Sequence, residues 1–105
     1  VSGGQKKLLE IGRALMSEPR LVLLDEPVAG VNPALAAELA EHIAGLRAAG
    51  LTFLIIEHDL SLIARLCDPV VVMSEGRRLT AGRFAEVAAD SRVQEAYMGR
   101  RRWAS

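Results

Sequence analysis

Two short apolar runs constrain the fold of this chain more than any other feature. "LVLLDEP" starts at Leu21 and "LTFLIIEHD" at Leu51, and each run ends abruptly in carboxylates. A strand wet on one face alternates apolar and polar residues; a nearly unbroken apolar run is typical of strands buried on both faces, as in parallel sheets. Parallel strands require a crossover, and the intervening residues can supply one. Pro33 suits a first helical position. Leu35, Leu39, Ile43 and Leu46 form an apolar stripe at helical spacing, and Gly50 closes the segment. The predicted unit is strand, helix from Pro33 to about Ala49, strand, with a right-handed crossover and a sheet covered on both faces. In such sheets ligands bind beyond the carboxyl ends of the strands. Asp25-Glu26 and Glu57-His58 both fall there.

The flanking sequence extends this α/β pattern. Leu8, Ile11 and Leu15, and likewise Leu9, Gly12 and Met16, recur at spacings of three and four, which predicts a helix from Gln5 to about Glu18, stopped by Pro19. Asp59 can cap a short helix reaching about Leu66. "PVVVMS" and "RRLTAG" flank Glu75-Gly76 and predict a hairpin. Two short helices are expected between Arg83 and Met98, the second capped by Asp90 or Ser91, and "GRRRWAS" reads as a frayed end. The 105 residues suffice for one small domain.

Lys+Arg and Asp+Glu stand at 13 each, so the charge balance gives no reason to expect a nucleic-acid partner. Cys67 is the single cysteine, which excludes an internal disulfide and fits a reduced compartment; a small buried hydrophobe is its expected role. No apolar run approaches the roughly 18 residues of a membrane span, and no basic, then apolar leader opens the chain. His42, in the middle of an amphipathic helix, is expected at a surface or interface. Arg100, Arg101 and Arg102 read as a solvated end.

Three stretches can carry chemistry. At the end of "LVLLDE", Asp25 can present a carboxylate to Mg²⁺ through water, and Glu26 can polarise an attacking water. Alone, the pair could equally cap the next turn. His58, in "IIEHD", lies at the end of the next strand, from where it could donate a hydrogen bond to charge developing on a phosphate; an isolated histidine would more simply be structural. In "VSGGQ", Gly3 and Gly4 let backbone N–H groups approach an anion, the following helix adds its N-terminal dipole, and Ser2 adds a hydroxyl. By itself that stretch could be a flexible turn or a simple helix cap.

Taken together and in this order, the stretches resemble the ATP-binding-cassette (ABC) ATPases. "VSGGQ" is similar to their LSGGQ signature, with Val1 for the usual Leu. "LVLLDE" resembles their Walker B strand and catalytic glutamate, "AGVNP" their D-loop, and "EHD" their H-loop with its switch histidine. The resemblance runs from Val1 to about Gly82, with a continuation to Gly99. It implies a P-loop NTPase-type parallel sheet with flanking helices, followed by the hairpin and short C-terminal helices, as the C-terminal part of one nucleotide-binding domain. It also implies residue roles. Ser2, Gly3, Gly4 and Gln5 would contact ATP held by an opposing subunit. Asp25 would hold Mg²⁺ through water, Glu26 would activate the attacking water, and His58 would sense the γ-phosphate. Ala29 to Asn32 would line the dimer seam, with Asn32 in place of the usual aspartate and so one charge fewer.

The implied cofactors are ATP and Mg²⁺. The implied partners are a second nucleotide-binding subunit, integral membrane permease subunits and, indirectly, a periplasmic binding protein, at the cytoplasmic face of the plasma membrane. "DEPVAGVNP", "IIEHD" and "VQEAYMG" look like ATP-binding subunits of branched-chain amino acid importers; urea importers and lipopolysaccharide exporters share much of the pattern. Translation-associated ABC proteins depart from it after Walker B, DNA-repair ABC ATPases usually carry coiled coils, and a stand-alone interaction module is a further, non-enzyme alternative. The phosphate loop G-x-x-x-x-G-K-S/T does not occur, since Lys6 and Lys7 are the only lysines and neither follows a glycine. The chain therefore reads as a piece of a longer domain. The isolated 105-residue chain is expected to bind ATP with a Kd weaker than about 1 mM; titration calorimetry that finds sub-millimolar binding contradicts this reading.

Overall fold

The structure, a computed structural model, describes residues 3–98. Their order is α1 (Gly3–Leu15), β1 (Leu21–Asp25), α2 (Pro33–Ala48), β2 (Thr52–Ile56), α3 (Leu60–Leu66), β3 (Val70–Ser74), β4 (Arg77–Gly82), α4 (Phe84–Ala88), α5 (Ser91–Val93) and a π-helical turn, Gln94–Met98. The chain divides into two compact units, one up to Leu62 and the other from Ile63 onward. Val1, Ser2 and the expected frayed end from Gly99 lie outside the described residues.

The first unit is built on β1 and β2, which pair in parallel from Leu21↔Thr52 to Asp25↔Ile56. The crossover α2 starts where the sequence places it. Asn32 has extended backbone, its side chain accepts from the Leu35 N–H at 2.9 Å, and Pro33 follows in the first turn. The stripe predicted for α2 is the face that is buried: Leu39 and Ile43 are almost fully enclosed, with Ala40 beside them, while Leu35 and Leu46 are half-buried at its ends. Gly50 ends the helix in a left-handed conformation, φ 108°.

Two expectations need correction here. α1 begins at Gly3 and ends at Leu15, earlier at both ends than the expected Gln5 to Glu18. At its C-terminus the chain tightens: Met16, Ser17 and Glu18 donate to carbonyls three residues back. Glu18 then turns left-handed at φ 51°, ahead of Pro19. Of the two possible α1 stripes, Leu8, Ile11 and Leu15 are half-buried, whereas Leu9 and Met16 are exposed. The sheet also differs from the expected double-sided burial. Val22, Leu24, Phe53 and Ile55 occupy the more covered face. Leu21, Leu23, Leu54 and Ile56 are between 52 % and 66 % exposed on the other. An unbroken apolar run signals that both faces can be buried, not that both are buried within these residues.

The second unit holds the predicted hairpin. Glu75 (φ 52°) and Gly76 (φ 74°) both take positive φ, as a two-residue type I′ turn demands. β3 and β4 are antiparallel, and a register shift after Val72 places Leu79 as an extra residue on β4. Val70 and Val72 are buried, while Val71 and Met73 face outward. α4 packs against both strands, and Val87 is its buried residue. α5 is capped by Asp90, not Ser91: the Asp90 carboxylate accepts from the Arg92 N–H at 2.8 Å. The Arg92 guanidinium also binds that carboxylate, and together these donors hold its pKa down to about 2. Cys67 is half-buried rather than enclosed.

Ile43, 1 % exposed, makes the first unit testable. Ile43→Ala is expected to cost about 2–5 kcal/mol of stability, read as a lower urea midpoint at unchanged slope.

Candidate functional site

The site is assembled where β1 and β2 end side by side. In-register pairing brings Asp25 opposite Ile56, so both strands deliver their polar continuations to one edge of the sheet. Immediately past Asp25 the chain turns. Glu26 takes a left-handed backbone at φ 47°, a conformation that costs a residue with a Cβ about 1 kcal/mol. Three hydrogen bonds hold it there. Its N–H donates to the Ile56 carbonyl at 2.7 Å. Its carbonyl accepts from the Ala29 N–H at 3.1 Å and from Lys7 Nζ at 2.8 Å. Pro27 and Val28, both buried, seat the following turn.

His58 arrives from the other strand. Its Nε2 lies 2.9 Å from Glu26 Oε1. A carboxylate oxygen accepts, so the imidazole donates. Both side chains remain open to solvent, at 73 % for His58 and 48 % for Glu26. An exposed pair of this kind adds little to folding. Its interest is chemical: a proton-accepting carboxylate and a donating imidazole lie in contact, accessible to a ligand.

Glu57, to which the sequence reading gives no role, completes the cluster. One of its oxygens accepts from the His58 N–H at 3.0 Å and the Asp59 N–H at 3.4 Å, and the other faces the Val28 N–H at 3.5 Å. Its carboxylate thereby links the turn after β1 to the turn after β2. Glu26, Glu57 and His58 each bring a possible ligand atom within 4.8 Å of the others. The one sequence signal for Glu57 is its place at the end of an apolar run, the same signal that marks Asp25. Nothing local in the sequence indicates that Lys7, on a different element, reaches Glu26.

The remaining candidates are placed as follows. Asp25 is exposed at the end of β1 and stands outside that trio. Gly3 and Gly4 lie within the first turn of α1, not in a separate turn before it. The first four N–H groups of a helix have no intrahelical partner, so this position still offers donors to an anion. Gln5 is exposed on the same turn, and Ser2 lies outside the described residues. Asn32 caps α2 with its side-chain oxygen, so the atom expected at a subunit seam is engaged by its own helix. His42 is on the surface as expected, its side chain 59 % exposed and 4.0 Å from Glu38. Asp59 caps α3 as expected, accepting from Ser61 Oγ at 2.7 Å and from the Ser61 and Leu62 N–H groups. The Ser61 hydroxyl, followed by the Leu62 N–H, lowers its pKa below the usual carboxylate range.

Comparison with known proteins places this arrangement in context. The ABC transporter family matches residues 1–29. A probable branched-chain amino acid transport ATP-binding protein, LivG, of Methanocaldococcus jannaschii is 47 % identical over 94 % of this chain and 40 % of its own length. The lipopolysaccharide export system ATP-binding protein LptB of Acidithiobacillus ferridurans is 38 % identical over 94 % of this chain and 41 % of its own. The crystal structure of the ADP conformation of an ATP-binding cassette of an ABC transporter superposes with a TM-score of 0.85 at 46 % identity, covering 94 % of this chain and 41 % of that one. The chain thus spans about 40 % of the length of the curated relatives it matches.

The Asp59 cap carries a pH signature. A carboxylate with a lowered folded-state pKa stabilises fully above its unfolded value near 4, and that stabilisation is lost as pH falls below it. Asp59→Ala is expected to cost about 1 kcal/mol at pH 7. Denaturation midpoints measured across the acid range should show the gap to the unsubstituted chain closing below about pH 4.

Proposed function

The chain belongs to the ATP-binding-cassette family, and on that premise we propose that it carries the signature, Walker B, D-loop and H-loop part of an ATP-hydrolysing domain that powers membrane transport. The observation that carries the reading is the 2.9 Å contact between Glu26 and His58 at neighbouring strand ends. It pairs the general base with the γ-phosphate sensor that such hydrolysis requires. In this reading Glu26 orients the attacking water and accepts its proton as the bond from the γ-phosphorus to the bridging oxygen of ADP breaks. The His58 N–H, now donating to Glu26, turns to a γ-phosphate oxygen when nucleotide is present.

The donor chemistry suits the divalent ion. Mg²⁺ takes hard oxygen ligands, often through its own water, and the exposed Asp25 carboxylate offers one at the strand edge. When bound, the ion would neutralise charge on the β- and γ-phosphates. The N-terminus of α1 supports the second half of the proposal. Ser2, Gly3, Gly4 and Gln5 would address the γ-phosphate of ATP bound by an opposing subunit, so each site is shared between two chains. Asn32, near that seam, keeps α2 in register while its neighbours face the partner. The working assembly would add membrane permease subunits, with the ATPase peripheral on the cytoplasmic face. Among the described residues no helix is long and apolar enough to cross a membrane.

Branched-chain amino acids are the proposed cargo, supported by the name of the 47 % identical relative; lipopolysaccharide export is the second reading, supported by the 38 % identical LptB. In the full-length protein Glu26→Gln should slow hydrolysis by about 100-fold and accumulate an ATP-bound dimer on size-exclusion chromatography. His58→Ala should slow hydrolysis comparably. Normal turnover in Glu26→Gln would refute the role. Leucine uptake by vesicles carrying the complete transporter, lost in the same variant, separates the two cargo readings.

A further inference from the structure

We propose that Lys7 is a positioning residue for Glu26, and that through it the signature helix of one ATP site sets the geometry of the catalytic carboxylate belonging to the other. The inference rests on the catalytic reading of Glu26 given above. Lys7 is a half-buried residue in the second turn of α1, the helix whose first turn holds Gly3 and Gly4. Its Nζ donates to the Glu26 carbonyl at 2.8 Å across nineteen residues of sequence. Glu26 is one of only three non-glycine residues with positive φ among those described, and the only one of the three at the candidate site. A left-handed glutamate persists only where its surroundings hold it.

Here the holding is divided. Ile56 fixes the Glu26 N–H from β2, and Ala29 and Lys7 share its carbonyl. The Ile56 and Ala29 bonds lie within the strand pair and its turn. Of the three, only the Lys7 bond comes from an element outside the strand pair and its turn. A charged donor makes a stronger bond to a carbonyl than a neutral one. Losing it leaves the Glu26 carbonyl held by the Ala29 N–H alone, which loosens the left-handed turn from which the carboxylate reaches His58. Displacement of α1, as when its N-terminus engages or releases an anion, acts on the same carbonyl. The Lys7 side chain is thus a mechanical link between the start of α1, where an anion would bind, and the carboxylate at the end of β1.

The test uses the full-length protein with ATP and Mg²⁺. Lys7→Met should lower kcat roughly tenfold while leaving the KM for ATP within about twofold, because an ill-aimed base slows the chemical step without weakening nucleotide binding. Lys7→Arg keeps a cationic donor and should recover most of the loss. Adding Lys7→Met to Glu26→Gln should leave the concentration of ATP needed to form the trapped dimer unchanged. A kcat within twofold of normal in Lys7→Met overturns the positioning. So does a weakened trapped dimer in the double variant, since it would place Lys7 in ATP binding instead. If Glu26→Gln itself turns over normally, the catalytic reading falls and the positioning falls with it. An inactive Glu26→Gln beside an unaffected Lys7→Met removes the positioning alone.

Discussion

The parallel pairing of β1 with β2, and the register of that pairing, is the constraint on which the site depends. With Asp25 opposite Ile56, both strands end at one level. The next residue on each chain is then free to turn into a shared space. A single 2.7 Å bond from the Glu26 N–H to the Ile56 carbonyl extends the ladder one step past the strand, although Glu26 has already left extended conformation. A slip of one residue would place every side chain of one strand on the opposite face. It would also move Glu26 or His58 by one strand step, about 3.3 Å, against a contact that is 2.9 Å long.

Around that pairing the structure makes local hydrogen bonds serve tertiary ends. Asn32, Asp59 and Asp90 each satisfy helix N–H groups that would otherwise lack partners. Each also fixes where its helix begins. Asn32 sets α2 so that Leu39 and Ile43 fall inward. Asp59 starts α3 directly behind His58, which limits how far the histidine can drift from the strand end. Glu57 does for the two turns what the caps do for the helices, collecting N–H groups from both with one half-buried carboxylate. The acidic groups at the edge of the sheet therefore divide by task. Glu57 and Asp59 are engaged by backbone, whereas Asp25 and Glu26 keep exposed carboxylates.

Most elements were legible because their signals are local. A proline at the first turn, an apolar stripe at helical spacing and a closing glycine define α2 without reference to anything else. Glu75-Gly76 marks its hairpin in the same way. The start of α1 lies earlier than propensity indicates, because glycine is a poor helix former and Gly3 and Gly4 nonetheless belong to the helix. The exposure of Leu21, Leu23, Leu54 and Ile56 was not legible at all. Sequence reports what a face can tolerate, and solvent exposure depends on which other segments lie against it.

By itself the sequence determined the alternation of strands and helices, the placement of carboxylates and a histidine at the strand ends, and the family to which that pattern belongs. Those follow from side-chain chemistry and spacing within short stretches. Only the tertiary structure decided that Glu26 takes a left-handed backbone, that His58 meets it at 2.9 Å, that Glu57 bridges the two turns, and that Lys7 reaches across from α1. The left-handed backbone is held by bonds from Ile56 and Lys7, and the three contacts join residues far apart in the chain. Their distance is set by strand register and by how a helix packs beside the sheet, quantities that no local pattern carries.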